Sequence, residues 1–146
     1  MIKISKKINN INLSKMSASS EIVRKIDEGK IVHLKKETDA KKLDWNAHAT
    51  FKGVSLKHLV KGEDTGGKFS CHLVKIEPNC EIGEHIHADK WELHEIIGGD
   101  GKGILGEKEI PYKAGVSVVI PEGVKHKVIA GKGDLYLLAK FVPALV

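Results

Sequence analysis

The sequence predicts an all-β sandwich or barrel preceded by a short helix and an arm, and three observations carry that expectation. From Trp45 to Val142 apolar and polar residues alternate largely with a period of two, the spacing at which side chains of a strand return to one face. The apolar runs are short, rich in Val and Ile, and separated by clusters of Gly, Pro, Asn and Asp that have the chemistry of tight turns. No segment of that region repeats with the 3.6-residue period of an amphipathic helix. A chain of 146 residues suits one domain with a core and is short for two. Residues 1–44 are therefore expected as an N-terminal arm with a short helix, and residues 45–146 as the barrel.

Taken in order, residues 1–16 show no sustained period and read as a frayed arm or an edge strand. Ser17, Ser19 and Ser20 offer hydroxyls to cap a helix, Ile22, Val23 and Ile26 fall on one face of it, and Gly29 is its stop. A charged connector follows, with a candidate strand at 31–34. Barrel strands are expected at 47–51, 54–59, 69–76, 85–87, 92–97, 101–105, 108–110, 116–120, 126–129 and Leu135–Val142. Residues 62–67 read as a loop, Pro78-Asn79 as the centre of a type II turn and Gly106-Glu107 as a type II′ hairpin.

Charge and composition exclude some function classes. The net charge of +5 belongs to residues 1–44, which hold eleven Lys or Arg against six Asp or Glu, leaving thirteen of each sign in the remainder. The signs are interleaved, Arg24 is the only arginine, and no aromatic residue precedes Trp45, so a solvated surface is favoured over a nucleic-acid partner. No apolar run approaches the roughly eighteen residues of a membrane span, and the first sixteen residues lack the apolar core of a secretory signal. A cytoplasmic location is expected, with Cys71 and Cys80 reduced.

Chemistry concentrates between His85 and Glu92. In an extended segment His85 and His87 share a face, with Cα atoms roughly 6.6 Å apart, so two imidazoles can converge on one ion. A turn through Ala88, Asp89 and Lys90 would let Glu92 add an oxygen ligand. Further along, Pro121 and Gly123 make a rigid turn that fixes the direction of His126. Burying three histidines and a glutamate would be costly without an ion or a complete hydrogen-bond network. His94 shares the parity of Glu92 and is open to several roles: proton transfer, a substrate contact, a fifth ligand, or a bond to a backbone carbonyl. His72 alternates with Val74 and Ile76 and is a lesser candidate for the same cavity. His33, His48 and His58 are read as surface or satisfied histidines. Trp91 is expected either to close the pocket or to pack under a loop, and Lys127 and Lys140 to be solvated.

These residues fall in two motifs that resemble those of the cupin superfamily. His85, His87, Glu92 and Gly99 match its first motif, and Gly115, Pro121, Gly123 and His126 its second, fifteen residues on. Asn79, Val116 and Ala130 stand where the family often has glycine, an acidic residue and asparagine. The resemblance covers about residues 45–142 and implies a double-stranded β-helix, or jelly roll. It implies that His85, His87, Glu92 and His126 ligate one divalent transition metal ion (Fe, Mn, Ni or Zn); His94, inward by its own parity, is then the first candidate catalytic group. Cupins include dioxygenases, isomerases, lyases and decarboxylases, so a metalloenzyme acting on a small molecule is expected, with a non-catalytic small-molecule or metal-sensing module as the alternative. A homodimer through the N-terminal strands is expected as well.

Overall fold

The computed structural model describes residues 18–146; the expected arm at 1–16 and the capping Ser17 lie outside the described residues. The first element among the described residues is helix α1 (Ala18–Asp27), which starts earlier than the apolar face alone suggests. A two-stranded antiparallel sheet follows, β1 (Lys30–Val32) with β2 (Glu37–Asp39). Val32 at the end of β1 and Leu34 in the turn after it stay 69% and 97% exposed. A single 3₁₀ turn (Ala40–Lys42), capped by the Asp39 carboxylate on the Lys41 N–H at 3.1 Å, leads to the barrel.

Among the described residues, ten further strands form two sheets. One has the order β10-β7-β12-β5-β4-β3 and the other β6-β11-β8-β9. In chain order they are β3 (Asn46–Ala47), β4 (Val54–Val60), β5 (Ser70–Ile76), β6 (Glu81–His85), β7 (Trp91–Gly98), β8 (Asp100–Leu105), β9 (Lys108–Lys113), β10 (Ser117–Ile120), β11 (His126–Ala130) and β12 (Leu135–Val142). Every pairing is antiparallel. The inward faces of the two sheets meet in one core that includes Val74, Ile76, Ile96, Val128 and Leu137. The alternation read from the sequence is seen directly in β7, whose residues from Glu92 to Gly98 are buried at every second position. Sheet content, strand order and the short N-terminal helix are those of the jelly roll expected from the two motifs.

The departures have local causes. The expected strand at 47–51 stops at Ala47, because the N–H groups of Thr50 and Phe51 bond His48 Nδ1 at 3.0 and 3.2 Å and so leave the ladder. Residues 62–65 form a one-turn helix α2 (Gly62–Thr65) rather than a loop, with the Asp64 carboxylate on the Lys61 N–H at 3.0 Å and Gly66 left-handed at its end. Strand β9 continues through Pro111 because β9 is a sheet edge, where a missing N–H is tolerated. Trp91 neither closes the pocket nor packs beneath a loop: it is 48% exposed on the outer face of β7. Pro78-Asn79 behaves as expected, with Asn79 at φ 60° and the Cys80 N–H bonded to the Glu77 carbonyl at 3.0 Å.

The helical segment is tied to the barrel by a buried lysine. Lys57, 3% exposed on β4, ion-pairs with Asp27 and donates to the carbonyls of Asp27 at 3.1 Å and Ala40 at 2.9 Å. Its ammonium thus satisfies the last carbonyl of α1, where a positive charge also suits the helix dipole, and ties it to the 3₁₀ turn through Ala40. It lies 5.4 Å from the Trp45 ring. Replacing it leaves the Asp27 carbonyl and carboxylate without this partner, while the Ala40 carbonyl keeps the Leu43 N–H at 3.1 Å. Lys57→Met is expected to lower the unfolding free energy by about 2 kcal/mol, since Asp27 is partly solvated and so short of a fully buried pair. Urea unfolding checks this, and a midpoint equal to that of the unsubstituted protein would contradict it.

Candidate metal centre

His85 ends β6 and His126 opens β11, and these two residues face each other as Cα partners across the sheet. Their rings lie 4.1 Å apart between centroids. His87 falls past the end of β6, not on a strand as expected, yet it remains at the site. The left-handed turn after β10, with Gly123 at φ 73°, aims the Gly123 N–H at the His87 carbonyl at 2.8 Å. One motif therefore holds the other by a backbone hydrogen bond. Glu92 enters from the opposite sheet, on β7 between Phe141 of β12 and Ile120 of β10. One donor atom from each of His85, His87, Glu92 and His126 lies within 4.8 Å of the other three.

The hydrogen bonds prepare these atoms. His85 Nδ1–H donates to the Gly83 carbonyl at 2.7 Å and His126 Nδ1–H to the Val124 carbonyl at 2.9 Å. Both rings thereby present Nε2 to the cavity, the arrangement by which backbone carbonyls orient metal-binding histidines. Glu92, 6% exposed, accepts from His94 Nε2 at 2.6 Å and from His126 Nε2 at 2.9 Å, with His87 Nε2 3.5 Å away. Burial alone would raise the Glu92 carboxyl, but His94 and His126 outweigh it and hold the group well below the usual carboxylate range. Burial likewise pulls His126 down, and the bonds to Glu92 and Val124 more than reverse it, whereas burial lowers both His85 and His87. Donors about 2.1 Å from a common centre lie at most about 4.2 Å apart. Closing the observed 4.8 Å spread needs only a few tenths of an ångström from each side chain. Three imidazoles and a carboxylate form a set suited to a first-row transition metal, so these residues fit such an ion.

His94 is 2% exposed and has both nitrogens engaged: Nε2–H on Glu92 Oε1, and Nδ1 with the Tyr112 hydroxyl at 2.8 Å. A chain Tyr112 to His94 to Glu92 therefore fixes the carboxylate. Tyr112 escaped sequence reasoning because the expected strand ended before Pro111, although its parity with Ile110 pointed inward. The cavity at the site measures about 110 Å³. Apart from His48 and the site residues, its lining is apolar and includes Leu56, Ile82, Leu137 and Leu145. The C-terminal segment closes one side: the Leu145 N–H donates to Ser70 Oγ at 2.9 Å and the Ala144 N–H to the Gly67 carbonyl at 3.1 Å.

His72 is fully buried but stands apart from the four. Its Nδ1 meets His58 Nδ1 at 2.7 Å, its Nε2 meets Ser70 Oγ at 2.9 Å, and Phe141 lies beside both His72 and His87. His58, read from sequence as a surface or satisfied residue, is thus the partly buried half of a pair whose other half is fully buried.

Residues 72–139 match the family model described as a cupin domain. A curated relative, an oxalate-binding protein of Thermotoga maritima, is 29% identical over 91 residues, which make up 61% of this chain and 75% of that one. A solved structure from the same organism, described as a predicted oxalate decarboxylase, superposes with TM-score 0.65 at 25% identity, covering 70% of this chain and 95% of the other. A polyketide cyclase from Streptomyces resistomycificus superposes with TM-score 0.66 at 17% identity, covering 75% of this chain and 80% of the other, and shares the fold.

Burial, reinforced by His58, lowers the His72 pKa from its ordinary 6.5 to about 4. The unfolded chain therefore binds a proton that the folded one refuses, so the neutral pair's contribution is complete above pH 6.5 and is lost as pH falls from there towards about 4. Urea midpoints are expected to drop across that window, and less steeply in His72→Phe. Equal pH dependence in the two proteins would contradict the assignment.

Proposed function

Since the chain carries a cupin domain, we propose that it is a metal-dependent protein whose cavity binds a small carboxylate of about the size of oxalate, at a divalent Fe, Mn, Ni or Zn ion held by His85, His87, Glu92 and His126. The observation that carries this reading is the convergence of these four donors on one point, with the Gly83 and Val124 carbonyls engaging Nδ1 of His85 and His126 so that Nε2 is the atom each ring turns to that point. A bound ion of this kind supplies a Lewis acid that polarises a ligand oxygen. Cavity size narrows the ligand: about 110 Å³ is room for some four waters at ~30 Å³ each, which suits a molecule of a few heavy atoms. The apolar lining and the absence of arginine from the barrel disfavour phosphorylated sugars, which need a charged fork. The oxalate-binding relative supports the same ligand class.

Around that ligand each residue has a task. Tyr112 holds His94, and His94 holds Glu92 with one carboxylate oxygen aimed at His126. Since both of its nitrogens are engaged, His94 is assigned a positioning role in place of the proton transfer expected from sequence. The apolar residues exclude bulk water and strengthen every charge interaction inside. An enzyme of the decarboxylase or lyase type is the first reading. The second, a protein that binds without turnover, is favoured by the committed state of His94.

The test is calorimetry with oxalate on protein purified without chelator or nickel resin. The protein is expected to hold close to one equivalent of a transition metal and to bind oxalate only in that form, and His87→Ala to lose both. Less than half an equivalent of metal, with the content unchanged in His87→Ala, would end this reading. Formate and carbon dioxide appearing from bound oxalate select the enzyme, and their absence selects the binding protein.

A further inference from the structure

His48 lies outside both motifs, in the turn between β3 and β4, and its hydrogen bonds define its chemistry. Nδ1 accepts the N–H groups of Thr50 at 3.0 Å and Phe51 at 3.2 Å. A nitrogen that accepts two N–H groups carries no proton itself, so in the neutral ring the proton sits on Nε2. That Nε2–H has no protein partner among the described residues, and the ring lines the same cavity as His85, His87 and Glu92. Its setting is rigid. The His48 N–H donates to the Val54 carbonyl at 2.8 Å, and Phe51 lies between the His48 ring at 4.8 Å and the His85 ring at 6.1 Å. Gly83 makes room for this packing, since a Cβ there would come within 2.8 Å of Phe51 Cε1.

The other polar side chains on the cavity wall are committed elsewhere. His85 bonds Gly83, His94 bonds Tyr112 and Glu92, Glu92 bonds His94 and His126, and His87, its Nε2 3.5 Å from Glu92, belongs to the metal-binding set, while the rest of the lining is apolar. A small oxyanion held at one end by the metal-binding residues exposes its other oxygens to a wall with one free donor outside that set. We propose that His48 is that donor, a ligand-binding residue whose Nε2–H bonds the outer oxygen of a small carboxylate in the cavity and so selects for ligands with an acceptor at that point. The inference rests on the oxyanion reading above and adds a residue that neither motif contains. It also explains why a half-buried histidine uses its other nitrogen to order a turn: the backbone fixes the tautomer that the ligand needs.

Two substitutions separate ligand binding from folding. His48→Phe keeps a ring in the wall and removes the donor. His48→Asn keeps a side-chain oxygen able to accept the turn N–H groups, as asparagine does in Asx turns, and withdraws its donor from the cavity. Both are prepared with metal, and calorimetry measures the affinity for oxalate, formate, acetate and bicarbonate, with metal content determined on the same samples. Both variants are expected to retain the metal equivalence of the unsubstituted protein and to bind its best oxyanion about tenfold more weakly, the effect of one lost hydrogen bond. His48→Asn is also expected to keep a melting temperature near that of the unsubstituted protein. Undiminished oxyanion affinity in either variant overturns the role of His48 while leaving the oxyanion reading intact. If the metal-loaded unsubstituted protein binds none of the four, both are overturned.

Discussion

Glu92 keeps a charged carboxylate inside a barrel, where an isolated anion would cost several kcal/mol even after relaxation. It is tolerated because imidazoles surround it: His94 and His126 bond its two oxygens and His87 stands 3.5 Å from one of them. The same arrangement would be wasteful for stability alone, since an apolar cluster of equal volume serves a core as well or better. Its use is to present one carboxylate oxygen and three ring nitrogens to a common point. Strand alternation, turn geometry and sheet register can each be understood by how they meet that requirement.

The two sheets divide the work. The four-stranded sheet supplies His85 and His126 from neighbouring strands, so their spacing is set by the β6 to β11 register and not by side-chain flexibility. The six-stranded sheet supplies Glu92 and His94 from β7, flanked on both sides by paired strands, and this fixes the depth of the carboxylate. His87 lies on the connection between the sheets and is positioned by the Gly123 N–H of the second motif. Gly99, with φ 78°, brings the chain out of β7 so close to Asp134 that a Cβ would lie 2.0 Å from its carbonyl oxygen, so only glycine serves there. The motif glycines thus act on the site through the backbone.

Much of this was legible in the sequence because period-two alternation reports which face a residue occupies, and the four donors are separated by turns whose chemistry is local. Leu135–Val142 was read to its ends, and the other long strands to within a residue or two, with β6 and β9 as the exceptions. Events set by contacts distant in the chain were not legible. His48 looked like a surface residue because nothing in the sequence says that its ring captures two backbone N–H groups and ends β3. The pairing of His58 with His72 depends on the β4 to β5 register, and the burial of Lys57 depends on carbonyls 30 and 17 residues away. Tyr112 was hidden by Pro111, which breaks an interior strand but not an edge. Charge and periodicity describe one strand at a time, and these features belong to pairs of strands.

The central claim is that the barrel holds one ion at His85, His87, Glu92 and His126. Anomalous diffraction from crystals of protein grown with Mn(II), collected on either side of the metal's absorption edge, tests it most directly. The account predicts one strong site about 2.2 Å from a donor atom of each of the four residues. No anomalous site in the barrel, or one centred on the His58 and His72 pair in its place, would contradict it.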